Sequence, residues 1–346
     1  MPILGAGSLS PTTQPSTFRD IYTEVLNRMR QLTTQSSIIE QAKRYVNTAL
    51  YDMVIGFEYK LPWLEREAFL TTMAPYTTGT VAITRGSTSL VGVSTAWDTV
   101  NAYGVANARS TGKITLGDNN IYTIASVDSA TGITLNQRYI ADSDLAAGAT
   151  YTYFEDEYAL ASDFLKPIDY RRFSAALNIP IIGRHDFRRL YPRPNVSGMP
   201  RAATLYDKPF ASTSTPQIHV QFYPYPNAVL MIPYAYVTSN LAVSTAGVEA
   251  AQMSADTDEP ILPIRYRHAI VLHAIAQWYR DKKDDTRSEP AKAEYQDEVS
   301  RLVGDQRIGA NTTAQITPKV GLYHSRPYSG GRRRYSTNNS FDDFRT

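Results

Sequence analysis

The sequence predicts an α+β protein: a helical-bundle host domain with a β-hairpin, an inserted small all-β barrel or sandwich domain, and an extended C-terminal arm. Three observations carry that expectation. Apolar residues recur at helical spacing towards both ends of the chain. A middle stretch alternates in short β-branched runs. The last stretch, from Arg307, has no core pattern at all.

In chain order, residues 1–16 are rich in Gly, Ser, Thr and Pro without periodicity and read as a flexible arm. Thr17 then caps a helix, with Asp20 at the reciprocal position of a capping box. Phe18, Ile21, Tyr22, Val25, Leu26, Met29 and Leu32 form its apolar stripe. A second helix opens at Ser37 with Glu40 three residues on. It carries Ile38, Ala42, Tyr45, Val46, Ala49 and Met53 on one face, and Gly56 is placed to end it. Two such helices with a short polar break read as an antiparallel hairpin. Pro62 stops helical continuation, so Leu61-Pro62-Trp63-Leu64 begins an extended segment.

The host is expected over 17–74 and 156–306, with the β-domain over 75–155 and the docking arm over 307–346. Within the insert, alternating runs at Thr80–Thr84, Ser89–Val93, Lys113–Leu116, Asn120–Ile124 and Gly132–Leu135 are separated by turn residues. Five to seven short strands fit that spacing. Further on, Gln217–Val237 reads as a hairpin turning at Pro224–Asn227. An acidic turn, Asp256–Pro260, leads to Pro263 and a helix with Ile264, His268, Val271, Leu272, Ile275, Trp278 and Tyr279 on its stripe. Another helix is expected over Pro290–Val303.

Composition narrows the chemistry. The chain has 346 residues and no cysteine, which excludes disulfides, thiolate nucleophiles and cysteine-zinc sites. A formal charge of +2 is too small to imply nucleic-acid binding in bulk. Tyr outnumbers Phe, 24 to 11, and tyrosine suits surfaces buried only on assembly. No basic n-region and no long apolar run is present, so a soluble, intracellularly made protein without a membrane partner is expected.

No phosphate loop, nucleophile elbow or zinc-helix motif occurs, so neither an enzyme nor a cofactor is expected. His268 and His273 lie five apart on one helix and cannot share a metal face. His268 should join the inner stripe, and His273 should face solvent or a partner. Asp256, Asp258 and Glu259 lack calcium-loop spacing and read as a turn at a helix start. Glu155, Asp156 and Glu157 read as a solvated junction between insert and host. Two basic features remain. Arg332, Arg333 and Arg334, flanked by Tyr328 and Tyr335, would suit either phosphate or an acidic protein. The stretch 164–210 is Arg-rich but broken by prolines, so it reads as a subunit interface or a pore lining rather than a groove-reading helix.

The order of segments resembles the head-to-tail adaptor, or connector, proteins of tailed bacteriophages. The likeness rests on the N-terminal helical pair ending near Leu61–Leu64, on Tyr158–Phe164, and on Gly198-Met199-Pro200. It extends to Ile218–Pro226 with Tyr234–Tyr236, and to Leu262-Pro263 leading into a long helix. The insert, with Gly86–Gly92 and Trp97, is similar to small β-domains of phage neck and tail proteins. The resemblance implies a homo-oligomeric ring, dodecameric, beneath a portal protein, with a tail or nozzle protein below and genomic DNA passing through. It places the protein in the virion neck, made in the bacterial cytoplasm. Tyr323, Tyr328, Arg332, Arg333, Arg334, Tyr335, Phe341 and Phe344 are then candidates for docking the arm on the portal. Arg171, Arg172, Arg184, Arg188 and Arg189 are candidates for the DNA channel or the subunit interface. A tail-associated carbohydrate-active protein, marked by an exposed Trp97, or a nucleic-acid-binding protein is the alternative.

Overall fold

The computed structural model describes residues 15–31, 34–55, 61–110, 112–118, 120–193, 195–208 and 217–324, with backbone alone at Ile55 and over 306–324. The chain divides into two compact units. One holds residues up to Leu64 and from Asn240; the other is Glu65–Ser239.

Helix α1, Phe18–Arg28, begins with the capping box that its sequence predicts: Asp20 N–H donates to Thr17 Oγ1, and Thr17 N–H donates back to the Asp20 carboxylate at 3.0 Å. Helix α2, Ser36–Ile55, packs against it. Gly56, expected to end α2, lies outside the described residues. A 3-10 turn at Pro62–Leu64 then delivers the chain into β1, Glu65–Thr71.

The second unit is built from strands. β2 (Thr80–Ile83), β3 (Ser89–Val93), β4 (Lys113–Thr115), β5 (Ile121–Ser129), β6 (Gly132–Leu135), β7 (Leu145–Ala149) and β8 (Thr152–Phe154) form one curled antiparallel sheet in the order β7-β2-β3-β6-β5-β4-β8. Alternate residues point inward, as in β3, where Leu90 and Gly92 are covered and Val91 and Val93 exposed. Trp97 is wholly buried in the core of this sheet, its indole N–H donating to Tyr151 Oη at 3.0 Å.

After β8 come β9 (Glu157–Ala159), β10 (Phe164–Pro167), β11 (Arg172–Ser174), β12 (Ile179–Pro180) and the short helix α3 (Arg184–Leu190). They are followed by β13 (Ser197–Gly198), β14 (Ala202–Asp207), β15 (Ile218–Tyr223), β16 (Tyr225–Pro226) and β17 (Met231–Thr238). Two three-stranded sheets, β1-β17-β10 and β14-β15-β9, contribute to one aromatic-rich core including Tyr158, Phe164, Phe173, Phe222, Tyr234 and Tyr236. Within it, the Asp163 carboxylate accepts from the hydroxyls of Tyr236 and Thr238.

The chain then returns to the first unit through three two-residue strands, β18 (Ala242–Val243), β19 (Glu249–Ala250) and β20 (Glu259–Pro260). Helices α4 (Arg267–Asp281) and α5 (Asp285–His324) follow. α4 is buried on most sides, through Ile270, Val271, Ala274, Ile275 and Trp278, and contacts α1, α2 and α5.

The expected helical-bundle host is not what forms. The chain is about 29% helical and 32% strand, and residues 65–74 and 156–239, assigned to that host, belong to the β-rich unit. Alternation marks segments such as β15 and β17 as strands, but it does not say which distant strands they pair with. The expected hairpin over 217–237 is absent for a related reason. β15 pairs with β14 and β9, whereas β17 pairs with β1 and β10. Pro224 and Pro226 offer no N–H to a hairpin ladder, and Tyr225–Pro226 pairs instead with β13 in parallel. The extended arm is also corrected in part: α5 runs on through 307–324, where Gly309, Pro318 and Gly321 hide a helix from propensity.

Candidate functional site

The arginines singled out in sequence lie along one exposed stretch of the β-rich unit. Arg171 and Arg172 sit at β11, whose Arg172 faces Pro180 of β12. Ile181 N–H donates to Arg171 O at 2.9 Å and Ile182 N–H to Ala203 O at 2.8 Å, which lays this hairpin beside β14. α3 is held by one buried side chain, Phe187, which meets Tyr191 edge-on; Tyr191 in turn stacks on Tyr223 at 3.9 Å. With Phe187 turned inward, Arg184, Arg188, Arg189 and Leu190 are left exposed. The Arg184 guanidinium lies 4.0 Å over the Tyr206 ring. Arg189 pairs with Asp186 at 3.2 Å. Among the described residues Arg171, Arg172, Arg188, Arg193 and Arg201 make no ion pair.

Apolar side chains are interleaved with these charges. Tyr170, Leu177, Leu190, Val196 and Met199 all stand exposed in the same stretch. Arginine mixed with aromatic, Met and aliphatic surface, at low lysine, is the composition of a protein interface core.

Behind this face is a charge network that the sequence reading missed. Glu155 and Asp156 are 2% and 0% exposed, so the expected solvated junction is a buried one. Glu155 accepts from Arg109 through Nε at 2.8 Å and also through Nη2, and from the Tyr153 hydroxyl. Lys113 Nζ, on β4, reaches Asp156 at 2.7 Å and Glu157 at 2.9 Å. Gln221 Nε2, on β15, donates to Asp156 at 2.7 Å. Burial works against the Lys113 charge, but Asp156 and Glu157 outweigh it and hold the ammonium above its usual range. Burial would likewise raise Glu157, yet Lys113 and the Tyr206 hydroxyl hold it low. Burial pushes Tyr153 and Tyr206 well up and His219 down, so these three stay uncharged near neutrality. The arrangement fixes charges in place and ties the curled sheet to β15. The one signal in the sequence was a run of three carboxylates with no local cation.

Tyr323 lies on α5, where only backbone is described; Tyr328, Arg332, Arg333, Arg334, Tyr335, Phe341 and Phe344 lie outside the described residues. Trp97 is buried, so the exposed platform of a carbohydrate-active alternative is absent at that position. His273 does not face open solvent: its Nε2 is 3.2 Å from Asp52 and its ring lies against Tyr295. The acidic turn serves α1 rather than α4, since Phe18 N–H and Arg19 N–H donate to the carbonyls of Asp258 and Asp256.

No protein-family model matches the chain, and no curated protein matches it significantly.

Proposed function

We propose that this chain is a structural assembly protein: an adaptor whose copies form a ring between the head and the tail of a tailed bacteriophage. The observation that carries the reading is the exposed arginine face of β11–α3, rich in apolar side chains and poor in internal ion pairs. Such a surface is costly to leave in water and gains on contact with a partner. A cyclic ring needs a heterologous contact, one face of each copy against a different face of the next. On this reading the copies form a dodecamer under the portal, with DNA threading the centre and a tail or nozzle protein below. The portal contact falls to the C-terminal residues from Tyr323 to Phe344, whose arginines and aromatics can anchor on a neighbour. The protein would reside in the virion neck and have no catalytic activity of its own.

The test is native mass measurement with electron microscopy of the purified protein, alone and with its portal. A closed ring that stacks on the portal is expected. A protein that stays monomeric in both settings sinks the reading.

A further inference from the structure

The arginine face has a counterpart on the same unit. In the β1·β17 ladder Glu65, Glu67, Phe69 and Thr71 stand opposite Val237, Ala235, Pro233 and Met231, and these residues share one side of the sheet. The other side, with Leu70, Ile232 and Tyr234, is packed into the core. On the open side Phe69 is 64% and Met231 69% exposed. A groove of about 200 Å³ runs here, lined by Glu67, Phe69, Ala175, Ala176, Pro233 and Ala235. β1 is an edge strand. Charged residues commonly blunt such an edge, which accounts for Glu65 and Glu67. It does not account for two large apolar side chains held out in water beside them.

We propose that this groove receives the α3 segment of a second copy of the chain. Arg188 and Arg189 would meet Glu65 and Glu67, and Leu190 would fill the apolar end beside Phe69. The reasons are complementarity of sign and of kind. One surface is cationic with an aliphatic tip, and the other is anionic with an aliphatic trough. Glu65 and Glu67 make no ion pair among the described residues, and neither does Arg188. Duplex DNA is the poorer partner for α3, because phosphates offer nothing to the exposed Leu190. The inference rests on the assembly reading above and names the partner surface of the same site.

A charge swap tests it in the full-length protein, followed by sedimentation velocity over a concentration series, with circular dichroism to show that each variant is folded. Arg188→Glu with Arg189→Glu should weaken self-association at least tenfold. Glu65→Arg with Glu67→Arg should do the same, and Phe69→Ser should weaken it without changing charge. The two charge-reversed pairs combined in one chain should recover most of the lost affinity. The contact is overturned if the combined variant is no better than either pair, or if the single pairs associate like the unaltered protein. It is also overturned if α3 reversal leaves association intact and instead removes salt-dependent binding to duplex DNA. An unaltered protein that stops at a dimer, with the swaps behaving as stated, upholds the contact and overturns the ring. Failed swaps with an intact ring do the reverse.

Discussion

Lys113 is the residue on which most of the buried charge converges, since it faces two carboxylates at once. Replacing Lys113 with Met removes the cation and leaves Asp156 and Glu157 without it. Breaking a buried pair in this way costs about 3–5 kcal/mol, because the remaining charge is stranded in a low-dielectric site. Asp156→Asn should cost less, as Lys113 keeps Glu157. Urea denaturation of the two variants gives the comparison, and equal losses would contradict the shared-cation reading. Asp258 offers a test by pH. The backbone N–H of Ser254 is the main cause that holds its carboxyl below the usual range, and the Ala255 N–H adds to it. A group with a depressed folded pKa adds stability that is full above the unfolded value of about 3.9 and lost as pH falls through the folded one. Asp258→Asn should therefore cost about 1 kcal/mol at pH 7, solvent screening included, and progressively less as pH falls below about 4. Acid titration of stability in both proteins reads this directly.

At the scale of elements, α3 shows how little holds the proposed docking surface in place. It has seven residues and one buried side chain, Phe187. A helix that short has no independent stability, so its position comes from Phe187, Tyr191 and the Arg184–Tyr206 stack. Phe187→Ala should cost about 3 kcal/mol or more and raise amide exchange first across α3. If exchange in α3 is unchanged, something other than Phe187 seats it. At the start of the curled sheet Gly79, at φ +88°, is tight against backbone: an added Cβ would lie 2.6 Å from Val93 O. Gly79→Ala should destabilise by more than about 1 kcal/mol, since left-handed strain and a backbone clash act together. Gly86, with φ +78° and open space around it, isolates the conformational part. A thermal-melt comparison of the two alanine variants separates the contributions.

For the whole molecule the adaptor reading makes a claim about the C-terminal residues. Truncation after Gly304 removes the second half of α5 and all that follows, yet leaves Leu302, the last buried residue of the described side chains. The shortened protein should remain folded and no longer hold a portal ring. Binding with unchanged affinity in a pull-down with portal would remove those residues from the docking contact. A ring presents many such contacts together, so weak single contacts add up and their loss is expected to be steep.

Much of this protein is written locally. The capping box of α1, the apolar stripes of α1, α2 and α4, the turn-punctuated runs of the curled sheet and the arginines of 164–210 depend on neighbours a few residues away. Helical period, strand alternation and turn chemistry report such features without knowledge of the fold. What the tertiary structure decided is pairing at long range. Neither the separation of β15 from β17 into different sheets nor the placing of β1 opposite β17 has a local signature. The same holds for Lys113 meeting Asp156 and Glu157 across more than forty residues of chain, which turned an apparently solvated acidic run into a buried network. Sheet order and charge pairing are set by which surfaces can be buried together, a property of the assembled core. Residue type gave the arginines their charge; packing around Phe187 left those of α3 exposed.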